Sequence, residues 1–146
     1  VTNIYLAGPF FDDEQLERIG RAEQALAQNP QVGHVFSPRA HEVRDFEMGT
    51  PAWCAKTFKM DTDQIDAADV VVALADYVDD QVDSGTAFEI GYAYHSHTPV
   101  ILVHEKDNIV NLMLAESLQA YLTHMDDLVT YDFAQLPANR YEGEVI

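Results

Sequence analysis

At 146 residues and 47% hydrophobic content, the chain suits one globular domain with a real core and leaves no room for two. Eight basic residues against 25 acidic ones give a formal charge of -17, which argues against a nucleic-acid or anionic-membrane partner and for a small or neutral one. The single cysteine, Cys54, excludes an internal disulfide framework, and no apolar run reaches the roughly 18 residues that span a bilayer, so the default reading is a cytoplasmic protein.

Ile4-Tyr5-Leu6-Ala7 reads as a short buried strand ending in Gly8-Pro9. The loop Phe10-Phe11-Asp12-Asp13 then enters a helix capped by Asp12 or Asp13. Its apolar stripe is Leu16, Ile19, Ala22, Ala25 and Leu26, and Asn29-Pro30 stops it. Val32 to Phe36 is a second strand. The irregular stretch from Ser37 to Gly49, with His41, Arg44 and Asp45, has the length of a lid or binding loop.

Thr50-Pro51 starts the next helix, with threonine as cap and proline at the first helical position. Cys54, Phe58, Asp61, Ile65 and Ala68 share one stripe, so Asp61 stands where an apolar residue belongs. Its neighbours Asp63, Asp66 and Asp69 read as a solvated face, and Cys54 as core. A core-facing aspartate is either functional or a cap or ion-pair partner. Val70 to Ala75 is apolar on both faces, as a central parallel strand should be.

An acidic loop from Asp76 leads to Asp83-Ser-Gly-Thr-Ala-Phe-Glu89-Ile-Gly-Tyr-Ala-Tyr94. Ser84 is the expected cap of a helix in which Ala87, Ile90 and Tyr94 recur at helical spacing. Between Ser84 and His104, Glu89 is the only Asp, Glu, Lys or Arg. The helix dipole favours its ionised form while apolar neighbours disfavour it, which leaves a poorly solvated anion. Such a group is a candidate nucleophile or base, or else a half-buried glutamate satisfied by a neighbouring side chain. Gly91 costs about 1 kcal/mol against alanine in a helix interior and marks a close approach by something else. Pro99 to Val103 is a further strand, followed by a helix through Leu112, Met113, Ala115, Leu118 and Leu122. Leu128 to Tyr131 is the expected last strand.

Strands alternating with helices predict an α/β fold, a doubly wound five-stranded parallel sheet of flavodoxin-like order 2-1-3-4-5 in a single domain. Ligands of such sheets bind at the carboxyl ends of the strands where the order reverses, here between strands 1 and 3. The Gly8-Pro9-Phe10 turn and the stretch from Asp83 to Glu89 both emerge there. Carboxylates dominate that crevice, with Tyr5, Phe10 and Phe11. No metal set is visible, since His95 and His97 diverge on a helix, and no cofactor is called for. The first loop carries two aspartates instead of a phosphate cradle, which counts against nucleotides and flavin phosphate. One carboxylate as nucleophile, another as proton donor, and rings for a flat group fit glycosidic chemistry.

The chain resembles the nucleoside 2-deoxyribosyltransferase family. The matching pieces are Ile4-Tyr5-Leu6-Ala7-Gly8-Pro9-Phe10-Phe11, the run from Asp61 through Ile65 to Asp69, and Asp83-x-Gly85-x-x-x-Glu89-x-Gly91-Tyr92-Ala93. Asn111-Leu112-Met113 and Tyr141-Glu142-Gly143 complete the set. The resemblance implies that Glu89 attacks the anomeric carbon of a 2'-deoxynucleoside, forming a covalent deoxyribosyl-enzyme that an incoming purine or pyrimidine base resolves with net retention. It further implies that Asp61 is the general acid and base, that Tyr5 orients Glu89, and that Asp83 accepts from the sugar 5'-hydroxyl. Gly8 and Phe10 would line the substrate site. Asn111 and Met113 would complete a neighbouring subunit's site in a homo-oligomer, a hexamer built from dimers. Two other readings stay open: a nucleoside or nucleotide hydrolase using the same glutamate, and a flavodoxin-like electron carrier or binding module.

Overall fold

Five parallel strands form one sheet in the order β2-β1-β3-β4-β5, in a computed structural model that describes residues 1–146. The strands are β1 (Thr2–Ala7), β2 (Val32–Phe36), β3 (Val70–Leu74), β4 (Val100–Val103) and β5 (Ala120–Leu122). The helices are α1 (Asp13–Gln28), α2 (Pro51–Ala67), α3 (Ser84–His95), α4 (Leu112–Ala115) and α5 (Asp127–Thr130). No helix is long and apolar enough to cross a membrane.

Alternation along β1 divides the core into two. Ile4 and Leu6 pack with Ile19 and Leu26 of α1 and Leu128 of α5. Tyr5 and Ala7 point the other way, toward Ile65 of α2 and Ile90 and Ala93 of α3. The expected topology and its reversal between β1 and β3 are therefore present, with β1 paired in parallel to both β2 and β3. Gly8 follows directly, and a side chain there would meet Leu74 at 3.2 Å, so the glycine lets the first turn close against the end of β3.

Asp12 caps α1 by accepting from the Gln15 amide at 2.8 Å, and Thr50 caps α2 from the Trp53 amide at 3.3 Å. The cap of α3 is Asp83 and not Ser84, its Oδ2 accepting from the Thr86 amide at 3.0 Å. A carboxylate meets the positive end of the helix as well as its free amides, so it displaces serine from that position.

The C-terminal third departs furthest from expectation. The helix through Leu122 stops at Ala115, where Ser117 Oγ donates to the Leu114 carbonyl at 2.8 Å, and residues 120–122 join the sheet beside β4. Residues 128–131 fall in and just after α5 and form no strand. Leu128 and Tyr131, three apart, are both buried in the layer beneath α1. Short apolar runs fit either period, and sheet pairing decided the first case and packing against α1 the second.

Two stripes are also redrawn. Leu16 is exposed, and Gln15 and Arg18 take buried places on α1. On α2 only Ile65 is fully buried, so the amino-terminal half stands clear of the core and leaves Cys54 and Phe58 exposed. Its inward line is Trp53, Thr57, Asp61 and Ile65, one turn apart each.

Candidate active site

Tyr5 rises from the middle of β1 into the layer between the sheet and α3, and its hydroxyl donates to Glu89 Oε2. Phe36 of β2 stacks on the Tyr5 ring at 5.7 Å and His41 stacks on Phe36 at 4.4 Å, so three rings run from the hydroxyl's own ring to the surface. The segment carrying His41 is held by Arg39 on Glu23 at 2.5 Å and by Trp53 Nε1 donating to the Val43 carbonyl at 3.2 Å. The long stretch after β2 thus borders the site and is tied to both α1 and α2.

Glu89 lies in the second turn of α3, half-buried. Burial raises its carboxyl to about 7, the Tyr5 hydrogen bond opposes that rise, and the charges of Asp61 and Asp83 add to it. Burial likewise lifts Asp61 to about 6. The Tyr5 hydroxyl is driven far above the ordinary phenol range by burial and then by the charges of Glu89 and Asp61, so it remains a donor at any physiological pH. An ionised Asp61 disfavours ionisation of Glu89, so the pair keeps a proton to a higher pH than two exposed carboxyls would. A flat group lying on Asp61 would strip its water and raise it further, while Tyr5 keeps favouring the ionised Glu89. The arrangement is able to present an anion and an acid to one ligand.

Asp83 is half-buried at the start of α3. Its Oδ2 serves the helix, accepting from the Thr86 amide and from Thr86 Oγ1 at 3.1 Å, and Oδ1 makes no hydrogen bond within the protein. Phe10 is turned into the core on the α1 side, while its neighbour Phe11 is exposed and meets Tyr77 edge-on at 6.4 Å. Phe11 and Tyr77 are therefore the more open rings at the first loop.

Asn111 and Met113 are not brought to Glu89. Asn111 caps α4, its Oδ1 accepting from the Met113 amide at 2.9 Å, and both side chains face a separate cavity of about 760 Å³. That cavity is also lined by Ala87, Gly91 and Tyr94 of α3, and two residues along a helix are about 200° around it, so Gly91 looks away from Glu89. Nothing within this subunit lies within 4 Å of the place a Gly91 side chain would occupy.

Two buried polar residues had no sequence signal. Asp76, at the end of β3, accepts from the Glu105 and Lys106 amides at 2.8 and 2.9 Å and holds the turn after β4. His104 lies between the Tyr121 hydroxyl, at 2.9 Å, and Asn108. No group of three or more His, Cys, Asp or Glu side chains is placed to hold a metal ion.

The profile of the family described as Nucleoside 2-deoxyribosyltransferase matches residues 4–135. A nucleoside deoxyribosyltransferase of Limosilactobacillus fermentum is 35% identical over 145 residues, covering 90% of this chain and 85% of that protein. One from Lactobacillus leichmannii is 24% identical, covering 97% and 96%. The solved 2-deoxyribosyltransferase of Bacillus psychrosaccharolyticus superposes with a TM-score of 0.86 at 40% identity, covering 95% of this chain and 98% of that one. A CMP N-glycosidase of Clostridium botulinum, with a TM-score of 0.55 at 19% identity over 88% of this chain and 99% of that one, shares the fold alone.

Proposed function

Since the chain belongs to the nucleoside 2-deoxyribosyltransferase family, a family of pentosyltransferases, we propose that it exchanges the base of a 2'-deoxynucleoside for another purine or pyrimidine base. The observation that carries this reading is the meeting of two lifted carboxyls, Glu89 and Asp61, beside the Tyr5 hydroxyl. Tyr5 holds Oε2 of Glu89 and leaves Oε1 for the anomeric carbon. In the first step a Glu89 oxygen attacks C1', the bond from C1' to the base nitrogen breaks, and the proton of Asp61 passes to the departing base. In the second, a nitrogen of the incoming base attacks C1' and displaces Glu89, while Asp61 takes the proton that nitrogen sheds. Two inversions leave the configuration retained.

Asp83 offers its uncommitted Oδ1 to the sugar 5'-hydroxyl, and its charge disfavours a 5'-phosphate there. Gly8 and the exposed ring of Phe11 border the same crevice, whereas Phe10, turned into the core, does not reach it. Asn111 and Met113, across α3 from their own Glu89, serve the site of a second subunit in a homo-oligomer, a hexamer built from dimers.

The test is chromatography of purified protein with 2'-deoxyinosine, alone and with adenine, beside Glu89→Ala. Deoxyadenosine formed only with adenine present, and only by the unmutated chain, is the expected result. Equal cleavage without adenine would make the protein a hydrolase, and inactivity toward every deoxynucleoside would end the reading.

A further inference from the structure

Four buried side-chain polar atoms have no hydrogen-bond partner: two on Arg18, on the α1 side of the sheet, and Thr57 Oγ1 and Asp61 Oδ1 on α2. Leaving such an atom unpaired is costly, and native structures seldom tolerate it without a reason. The α2 pair is complementary. Asp61 Oδ1 accepts, and the Thr57 hydroxyl can donate. The two residues are one turn apart on the inward line, and helical side chains lean toward the amino terminus, so Asp61 leans toward Thr57. Thr57 is also free of the usual competitor. Its hydroxyl makes no bond to the carbonyl four residues back, whereas Thr62 on the same helix donates to the Phe58 carbonyl at 3.0 Å. Asp61 Oδ2, by contrast, is not sealed off although it too has no partner in the protein, so it is the oxygen left accessible to a ligand.

We infer that Thr57 is a positioning residue: in the working site its hydroxyl donates to Asp61 Oδ1 and thereby keeps the acid's transferable proton on Oδ2, the oxygen that faces the substrate. A carboxylic acid carries one proton, and an oxygen already accepting from a hydroxyl is the poorer place for it. With the proton on Oδ1, sealed beneath the helix, Asp61 would be an acid pointing the wrong way. This rests on the transferase reading of the site, in which Asp61 protonates the departing base.

The experiment compares two donors. With a natural 2'-deoxynucleoside the base leaves only when protonated. With 4-nitrophenyl 2-deoxyriboside, attack by Glu89 breaks the bond from C1' to the phenolic oxygen, the electron pair departs with the nitrophenolate, and no proton is required. Thr57→Val is expected to slow base exchange about tenfold, the worth of one lost hydrogen bond. First-turnover release of nitrophenolate should stay as in the unmutated protein, and Thr57→Ser should restore base exchange. If valine does not fold, Thr57→Ala removes the same hydroxyl with less bulk and gives the same comparison. Equal slowing with both donors would show a general distortion of the site and overturn the assignment, as would base exchange undiminished in the valine or alanine variant. Absence of base exchange in the unmutated protein overturns the transferase reading itself, and this assignment with it.

Discussion

The Tyr5 hydroxyl on β1 donates to Glu89 Oε2 on α3, so the strand at the reversal of the sheet and the helix above it meet through one hydrogen bond spanning 84 residues of chain. That bond favours the ionised glutamate and opposes the burial that lifts it. Tyr5→Phe removes the donor, so Glu89 titrates at a higher pH. The loss of activity on the acid side should therefore shift to higher pH, with kcat down about 10- to 100-fold and KM nearly unchanged. A pH profile of kcat checks both.

Burial of two carboxyls should also tell on folding. Glu89 rises from 4.5 to about 7 and Asp61 from 3.8 to about 6 in the folded chain, so the folded state holds more protons than the unfolded one across that window. The stability these two groups contribute must then fall as pH rises from about 4 toward 7, the reverse of an ion-paired carboxylate. Glu89→Gln and Asp61→Asn should each stabilise the protein by about 1–3 kcal/mol near pH 8 and by much less near pH 4. Urea midpoints at the two pH values decide it.

Asp83 has two tasks that substitution can separate. Asparagine keeps the cap on the Thr86 amide and loses the charge, whereas alanine loses both. Asp83→Ala should cost about 1 kcal/mol of stability and Asp83→Asn much less. If Oδ1 receives the 5'-hydroxyl, both variants should raise KM for deoxynucleosides, and their melting temperatures should differ while their activities fall together.

The sheet order was legible in the sequence, and so were Glu89 and Asp61 as two carboxyls set apart from the rest, for a physical reason. Strands such as Val70 to Leu74, buried on both faces, are unmistakable, and Glu89 and Asp61 each break an apolar pattern. Tyr5 was placed in the crevice as a ring, but its bond to Glu89 was expected only through family resemblance, since a tyrosine in a buried strand looks like packing. Thr57 gave no signal at all, because a threonine in a helix is unremarkable until its hydroxyl is found without a partner. The tail of the chain misled for another reason. Residues 112–122 and 128–131 are too short to fix a period, and contacts with β4 and α1 settled them. Cys54 was misplaced because the stripe on α2 assumed a helix resting on the core along its whole length, whereas its first turns stand clear of it.

The placement of Asn111 and Met113 makes a mixing experiment decisive. Glu89→Ala lacks the proposed nucleophile, and Asn111→Ala with Met113→Ala lacks the proposed contribution to the neighbour. Each alone should be nearly inactive. If the site is shared between subunits, dissociating and reassembling the two together should recover a substantial fraction of activity, since mixed oligomers contain some sites with every part present. No recovery after verified subunit exchange would place both functions within one chain.

Gly91 separates two quantities that a melting curve merges. In the lone subunit its missing side chain faces open space, so Gly91→Ala should make α3 about 1 kcal/mol more stable without any clash. If a neighbour's backbone fills that space, the same methyl group stands in its way, and the substitution strengthens the fold while loosening the assembly. Melting temperature measured against protein concentration distinguishes the two, because only the association term responds to dilution. A glycine that weakens its own helix would then be the mark of a chain shaped for company.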